Sequence, residues 1–264
     1  MALSSLWLYG VLVAICLVGL VVGAPLYLIT APFDANRLCC GHWFRALARM
    51  AVRCCWLWRF GVDGPPGKPV SGAAVVISNH ESHCDAFLIS HLGWEMKWLA
   101  KASLFRLPGI GWLMAMAGDV AIHRGRRDSG EAAMARLKGY LAHGMPVFLF
   151  PEGTRAVAPE LLPFKSGAFR LALEARVPVV PLAVAGTRTA LTKHSWKFGH
   201  SRALVRVGRP IDVEAVARAH GLADGGATPA AVAALAELAR AQVADMRDAL
   251  QAKLGLADAG ATSR

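Results

Sequence analysis

The run from Leu6 to Thr30, LWLYGVLVAICLVGLVVGAPLYLIT, contains no charged side chain. It is about as long as a stretch that crosses a hydrocarbon core, roughly 20 residues. Lipid offers the backbone no hydrogen-bond partner, so a run placed there must be helical. The rival reading is a secretory leader, which needs a basic start and an apolar centre of about 7–15 residues. The preceding MALSS has no basic residue, and the apolar run is longer than such a centre. The expectation is a retained anchor, either spanning the bilayer or inserted in one leaflet.

Pro32 breaks the chain after this run, and Asp34 is a candidate N-cap for a second helix over Phe33 to Phe60. On a helical wheel Arg37, Arg45, Arg49, Arg53 and Arg59 fall on one side. Trp43, Phe44, Leu47, Met50, Cys54, Leu57 and Trp58 fall on the other, while Val52 and Trp56 intrude on the basic face. Arginines opposite aromatics suit a helix lying at the lipid–water interface. The alternative is a helix packed on the domain with its arginines in solvent. The arginine excess after the apolar run puts the following domain on the cytoplasmic side, at the inner (plasma) membrane of a cell.

Composition supports a membrane setting. The 264 residues are 55% hydrophobic and carry a formal charge of +11. Apolar and basic together suit anionic lipid or an anionic substrate. Nucleic acid is not expected as a partner, because no nucleic-acid motif accompanies the charge. None of the six cysteines forms a C-x-x-C pair, and five lie in the first sixty residues among apolar neighbours. They are expected to be reduced and buried, with no metal or disulfide framework.

GVDGPPGKPVSG, Gly61 to Gly72, is a turn-rich connection. Beyond it, strand candidates are Ala73 to Ser78, Lys97 to Ala100, Val120 to Ile122, Pro146 to Phe150, Val179 to Ala183 and Leu204 to Val207. Helix candidates are Asp85 to His91, Ser129 to Ala142, Ser166 to Ala175 and Pro229 to Lys253. The alternation predicts an α/β fold with a mostly parallel central sheet flanked by helices, preceded by a membrane-anchoring helical hairpin. Residues 1–60 then form the membrane-associated two-helix segment and 61–264 the α/β domain, with a frayed tail from Ala257 to Arg264.

Two polar clusters follow buried-strand candidates, where α/β proteins place chemistry. The first is NHESHCD, Asn79 to Asp85. A zinc helix of the H-E-x-x-H type needs its histidines four apart, whereas His80 and His83 are three apart. His83 and Cys84 are adjacent, and a regular element points neighbours in different directions. Metal is therefore disfavoured. His80 in the loop and Asp85 in the first helical turn form the better pair. The carboxylate would accept from one ring nitrogen and leave the other free to take a proton from a substrate hydroxyl. An aspartate there also has a plain role at a helix start. No serine sits in a nucleophile elbow, so the attacking hydroxyl is expected from the substrate. The second cluster is PEGTR, Pro151 to Arg155. Gly153 permits close backbone approach, Arg155 could fork onto a phosphate, and Glu152 could bind an acceptor hydroxyl or position Arg155.

These residues resemble the glycerolipid acyltransferases, the family of 1-acylglycerol-3-phosphate acyltransferase. NHESHCD matches the H-x-x-x-x-D signature and FPEGTR the third block of that family. GDVAIHR, Gly118 to Arg124, and VPVVPLAV, Val177 to Val184, resemble the second and fourth blocks. FKSGAFRLALEA and SRALVRVGRPI are similar as well, so the resemblance covers roughly Val75 to Ile211. It implies transfer of a fatty acyl group from acyl-acyl carrier protein or acyl-CoA to a lysophospholipid hydroxyl, with no cofactor and no metal. His80 would be the general base and Asp85 its orienter. Lys101, Arg124, Glu152, Gly153, Thr154 and Arg155 would bind the acceptor, the cations holding its phosphate. WLAKASLFRLPGIGWLMAMAG could line an acyl pocket. The chain departs from the family pattern at Glu81, Ser82, His83 and Cys84, and His123 precedes Arg124 without the usual aromatic. Those positions bear on the acceptor. Beside lysophosphatidate, glycerol-3-phosphate, another lysophospholipid and a lyso-ornithine lipid stay open. So does a non-catalytic lipid-binding scaffold, against which the intact polar residues argue.

Overall fold

The computed structural model describes residues 2–65, 67–156, 160–221 and 226–256; the expected frayed tail lies outside them. The apolar run is one helix, α1 (Ala2–Thr30), with Pro25 inside it. Its buried residues Ser5, Leu8, Ile15, Gly19 and Gly23 follow helical spacing and form one seam. Ile15 packs with Leu47 and Leu113, and Leu8 with Trp58, Cys84 and Phe198. Polar bonds fix the same seam: Ser5 Oγ accepts from Phe198 N at 2.9 Å, and Trp43 Nε1 donates to Gly19 O at 3.0 Å. The other sides, including Leu3, Leu6, Val13, Leu17, Val21, Leu28 and Ile29, are exposed.

The second helix is shorter than its periodicity predicts. α2 spans Leu38–Arg53, not Phe33 to Phe60. Arg37, at φ 53°, precedes it. Asp34 still serves the helix from further out, its carboxylate accepting from Cys39 N at 2.8 Å. The residues after Cys54 leave the helix to become a strand, β1 (Trp58–Asp63), which runs across position 60. Pairing decides this. Trp58, Phe60 and Val62 alternate, and β1 lies parallel to β7 (Ser201–Val207), from Trp58 opposite Ser201 to Asp63 opposite Arg206. The Arg206–Asp63 pair at 2.5 Å closes the register. The wheel also misplaces Arg45. It turns inward, only 6% exposed, and bonds Asp119 at 2.6 Å. Beside it Lys97 Nζ bonds Glu95 at 2.7 Å. Arg49 donates to Ser90 O at 3.1 Å. Part of the basic face thus grips the domain, because buried carboxylates on the sheet side require partners.

The remaining elements alternate as expected. They are β2 (Val75–Ser78), α3 (Asp85–Ile89), β3 (Lys97–Lys101), α4 (Ile110–Met116), β4 (Val120–Ile122), α5 (Arg127–Ala142), β5 (Val147–Leu149), α6 (Gly167–Ala175), β6 (Val179–Ala185), α7 (Val213–Ala219) and α8 (Pro229–Leu254). α4 and α7 were not foreseen; both are two-turn helices, too short for a periodic signal. Among the described residues the sheet has seven strands in the order β1-β7-β6-β2-β5-β3-β4. Only β6 and β7 pair antiparallel; the other neighbours are parallel. Pro181 is tolerated inside β6 because its nitrogen faces the end of β7, where its carbonyl accepts from Gly208 N at 2.8 Å.

Successive residues of a strand face opposite sides. Val75, Ile77, Val147 and Leu149 therefore face α5, α6, α7 and α8. Val76, Phe148, Val180 and Leu182 face α3, the side on which α1 and α2 are attached. β2 and β5 are parallel neighbours, with Ile77 opposite Leu149. Their following loops, which carry the two polar clusters, emerge side by side at one edge.

Candidate active site

His80 sits two residues past β2, in a loop pinned from several directions. Asn79 extends the sheet with its side chain, donating to Val184 O at 2.9 Å and accepting from Val184 N at 2.8 Å. Ser82 Oγ donates to Leu191 O at 2.9 Å. Asp85 starts α3 and is fully buried. Its Oδ2 lies 2.7 Å from His80 Nδ1 and accepts from Glu81 N at 2.8 Å and Ser82 N at 3.0 Å. Thr187 Oγ1 donates to Oδ1. The aspartate thus holds the ring and shapes the loop at once. The His80 ring stacks on Phe150 at 3.9 Å between centroids, with planes 16° apart. Its Nε2 has no hydrogen-bond partner among the described residues, and the side chain is one-tenth exposed. This is the geometry of a base with one nitrogen committed and the other open.

The second cluster closes against the first. Glu152 does not reach for a ligand. One oxygen accepts from His80 N at 2.7 Å and the other from Leu162 N at 3.1 Å. It is 3% exposed, and burial raises its pKa. Its oxygens are occupied by backbone, so it fastens the histidine loop rather than binding an acceptor hydroxyl or Arg155. Ala156 N donates back to His80 O at 2.9 Å. Gly153 has φ 68°, a left-handed backbone that favours glycine, and the nearest group to a Cβ there would be the flexible end of Lys165. Thr154 is exposed beside it, and Arg155 is half-buried.

Lys101 ends β3, Arg124 lies two residues past the neighbouring β4, and both share one groove lining. Arg124 also feels Arg155: burial, and then that second guanidinium, lower its pKa. No carboxylate pairs with Lys101, Arg124 or Arg155 among the described residues. Two guanidiniums held in mutual repulsion, with no acid between them, suit an anionic ligand. His83 is exposed to solvent but stands by the same charges; partial desolvation, and then Arg155, lower its pKa to about 4, which keeps the ring neutral.

An acyltransferase family model matches residues 59–185. The chain belongs to the acyltransferase family. It is 42% identical over 123 residues, 47% of its length, to a 1-acyl-sn-glycerol-3-phosphate acyltransferase of Chlamydomonas reinhardtii. It is 31% identical over 204 residues, 76% of its length, to a chloroplastic enzyme of that name from Arabidopsis thaliana. The alignments cover 36% and 56% of those relatives' own lengths. The crystal structure of the LPA acyltransferase PlsC from Thermotoga maritima superposes with a TM-score of 0.67 at 23% identity, over 93% of this chain and 95% of that one. That likeness shows the fold.

Three residues of the site were missed from sequence: Asn79, Phe150 and Thr187. Thr187 follows β6, the third buried strand at this edge, in the segment AGT. Like His80 and Glu152, it is a polar residue just beyond a buried apolar run. Gly186 before it has φ 96°, and a Cβ there would lie 2.1 Å from Arg202 O; glycine is what brings the threonine in.

Glu81 points away from the open nitrogen. Its Oε2 accepts from Gly186 N at 3.1 Å and lies 3.4 Å from Thr187 Oγ1. Burial, and then the charge of Asp85, raise its pKa from 4.5 to about 7, with Arg188 opposing. The folded state thus holds this proton more tightly than the unfolded chain does. The associated stability is full below 4.5 and is lost as pH rises through about 7. Glu81→Gln keeps the shape and removes the ionisation. The variant is expected to be more stable to unfolding than the wild type at pH 8, by on the order of 3 kcal/mol, and to lose that advantage by pH 5. A difference independent of pH would reject this account.

Proposed function

We propose that the protein transfers a fatty acyl group from acyl-acyl carrier protein or acyl-CoA to the sn-2 hydroxyl of 1-acyl-sn-glycerol-3-phosphate, giving phosphatidic acid. The observation that carries the reading is the open Nε2 of an Asp85-held imidazole beside cations that have no acidic partner among the described residues. A phosphate seated on Lys101, Arg124 and Arg155 would bring a neighbouring glycerol hydroxyl to His80. Nε2 takes the hydroxyl proton as the oxygen attacks the thioester carbonyl carbon. The carbon–sulfur bond then breaks, and the imidazolium returns the proton to the departing thiolate. Asp85 stabilises the imidazolium between the two transfers. Alignment of two substrates in one frame supplies much of the rate. No acyl-enzyme is needed.

The setting is a membrane surface, with the catalytic domain on the cytoplasmic side of the inner (plasma) membrane. α1 is long and apolar enough to cross a bilayer. Its seam, however, is fastened from Ser5 to Gly23 along α2, α4 and the domain. Crossing would pull those elements into lipid, so insertion in one leaflet is favoured. Trp7, Trp56 and Trp112 are exposed with it and suit the interfacial layer.

The test is release of thiol from each donor by purified protein, with and without lysophosphatidate; release that ignores the acceptor sinks the reading. Arg155→Ala is expected to raise the acceptor KM about 10- to 100-fold with kcat changed only slightly. An unaltered acceptor KM counts against the clamp.

A further inference from the structure

We propose that the groove between α5 and α6 seats the 4′-phosphopantetheine arm of the acyl donor. The inference rests on the acyl-transfer reading and adds where the second substrate lies.

The groove encloses about 700 Å³, within the range of small-molecule sites, about 300–1,000 Å³. Its floor is apolar, made by Leu99, Ile122, Leu149, Met134 and Leu171. Its walls are cationic. Arg127 and Lys138 stand on α5, Arg170 on α6, Lys165 just before α6, and Lys101 and Arg124 at the strand ends. Two carboxylates answer them: Glu131 pairs with Arg127 at 2.8 Å and Glu174 with Lys138 at 3.4 Å. Lys101, Arg124, Lys165 and Arg170 have no acidic partner among the described residues. Lys101 and Arg124 belong to the acceptor clamp. Lys165 and Arg170 stand outside that clamp and are left for another anion.

A bare phosphate would not need the apolar floor, and a hydrocarbon chain would not need the cations. A ligand with a phosphorylated end and a long arm needs both; the lysolipid acceptor has that form too, but its one phosphate is met by the clamp, whereas the carrier arm of an acyl thioester supplies the second anion that Lys165 and Arg170 call for. The groove also leads to the chemistry. Phe150, Pro151 and Gly153 line its inner end, and Phe150 is the ring stacked on His80. Lys165 Nζ lies over Gly153, at the junction of groove and histidine loop. α5 and α6 cover the face of the sheet that bears Val75 and Ile77, whereas α3, next to α2, covers the face that bears Val76. The groove thus opens on the α5–α6 face, away from α1 and α2, and the acceptor's phosphate meets the donor at Lys101 and Arg124, which line the same groove.

Two donors share this arm: a coenzyme A thioester and a thioester of acyl carrier protein. The experiment uses the full-length protein in micelles with lysophosphatidate, and each donor in turn. In Lys165→Glu/Arg170→Glu the KM for the donor is expected to rise at least about tenfold, with the acceptor KM within about twofold of wild type. Which donor shows the rise tells the source. An unchanged donor KM overturns the proposal, as does an equal rise in both constants. If the double variant melts early, Arg170→Ser alone carries the same comparison. Calorimetric titration with free coenzyme A and with phosphopantetheine-bearing carrier protein gives a readout apart from turnover. Wild type should bind at least one and the variant neither; equal binding by both proteins overturns the assignment. Absence of turnover by wild type with either donor refutes acyl transfer to lysophosphatidate instead, and the titration then decides the groove alone.

Discussion

Replacing His80 with alanine is expected to abolish acyl transfer, lowering turnover by about 10²- to 10⁴-fold, while the fold stays intact. The separation follows from which atoms do what. The backbone of His80 holds the loop, its N–H bonding Glu152 at 2.7 Å and its carbonyl accepting from Ala156 N at 2.9 Å. Alanine keeps both. Asp85 loses the ring but retains Glu81 N, Ser82 N and the Thr187 hydroxyl. What disappears is the stacking on Phe150 and the open nitrogen. A thermal melt with turnover on the same preparation checks this. Near-wild-type turnover rejects the base assignment, and early melting with partial turnover makes the residue structural.

Asp85→Asn should be nearly as damaging, by about 10²- to 10⁴-fold, for an electrostatic reason. Asparagine can keep the contacts. Its oxygen takes the place of Oδ2, accepting from the ring and from Glu81 N and Ser82 N. Its amide then faces the Thr187 hydroxyl, which turns to accept instead of donate. The negative charge that stabilises an imidazolium is what goes. We expect the kcat loss with little change in acceptor or donor KM, and melting close to wild type. Asp85→Ala would leave Glu81 N, Ser82 N and the threonine unpartnered in a buried place, which costs stability as well. Equal turnover by the asparagine variant and wild type would show that the aspartate only braces the loop.

The sequence carried the alternation of strands and helices beyond residue 73, because each strand core is a short apolar run bounded by turn residues. It carried both polar clusters for the same reason: side chains such as His80 and Glu152 interrupt apolar segments where a core needs no polarity. It did not carry β1. Trp58, Phe60 and Val62 extend a helical pattern as well as an alternating one, and only β7, more than a hundred residues away, chooses between them. Nor did it reveal that Arg45 lies inside. Its partners Glu95 and Asp119 are remote in the chain, and a wheel counts only local neighbours.

Local chemistry thus determined that one end of this protein is a lipid-compatible helix, that an α/β sheet follows, and that an imidazole and a carboxylate five residues apart stand where a strand stops. Those are properties of spacing, readable in one dimension. Tertiary structure decided what those groups do. Glu152 became a brace for the histidine loop, Thr187 the second hand on Asp85, and Arg124 and Arg155 two charges facing each other. Parallel strands in register bring distant loops to one edge, and the energy of a buried charge or an unmet donor depends on what arrives there.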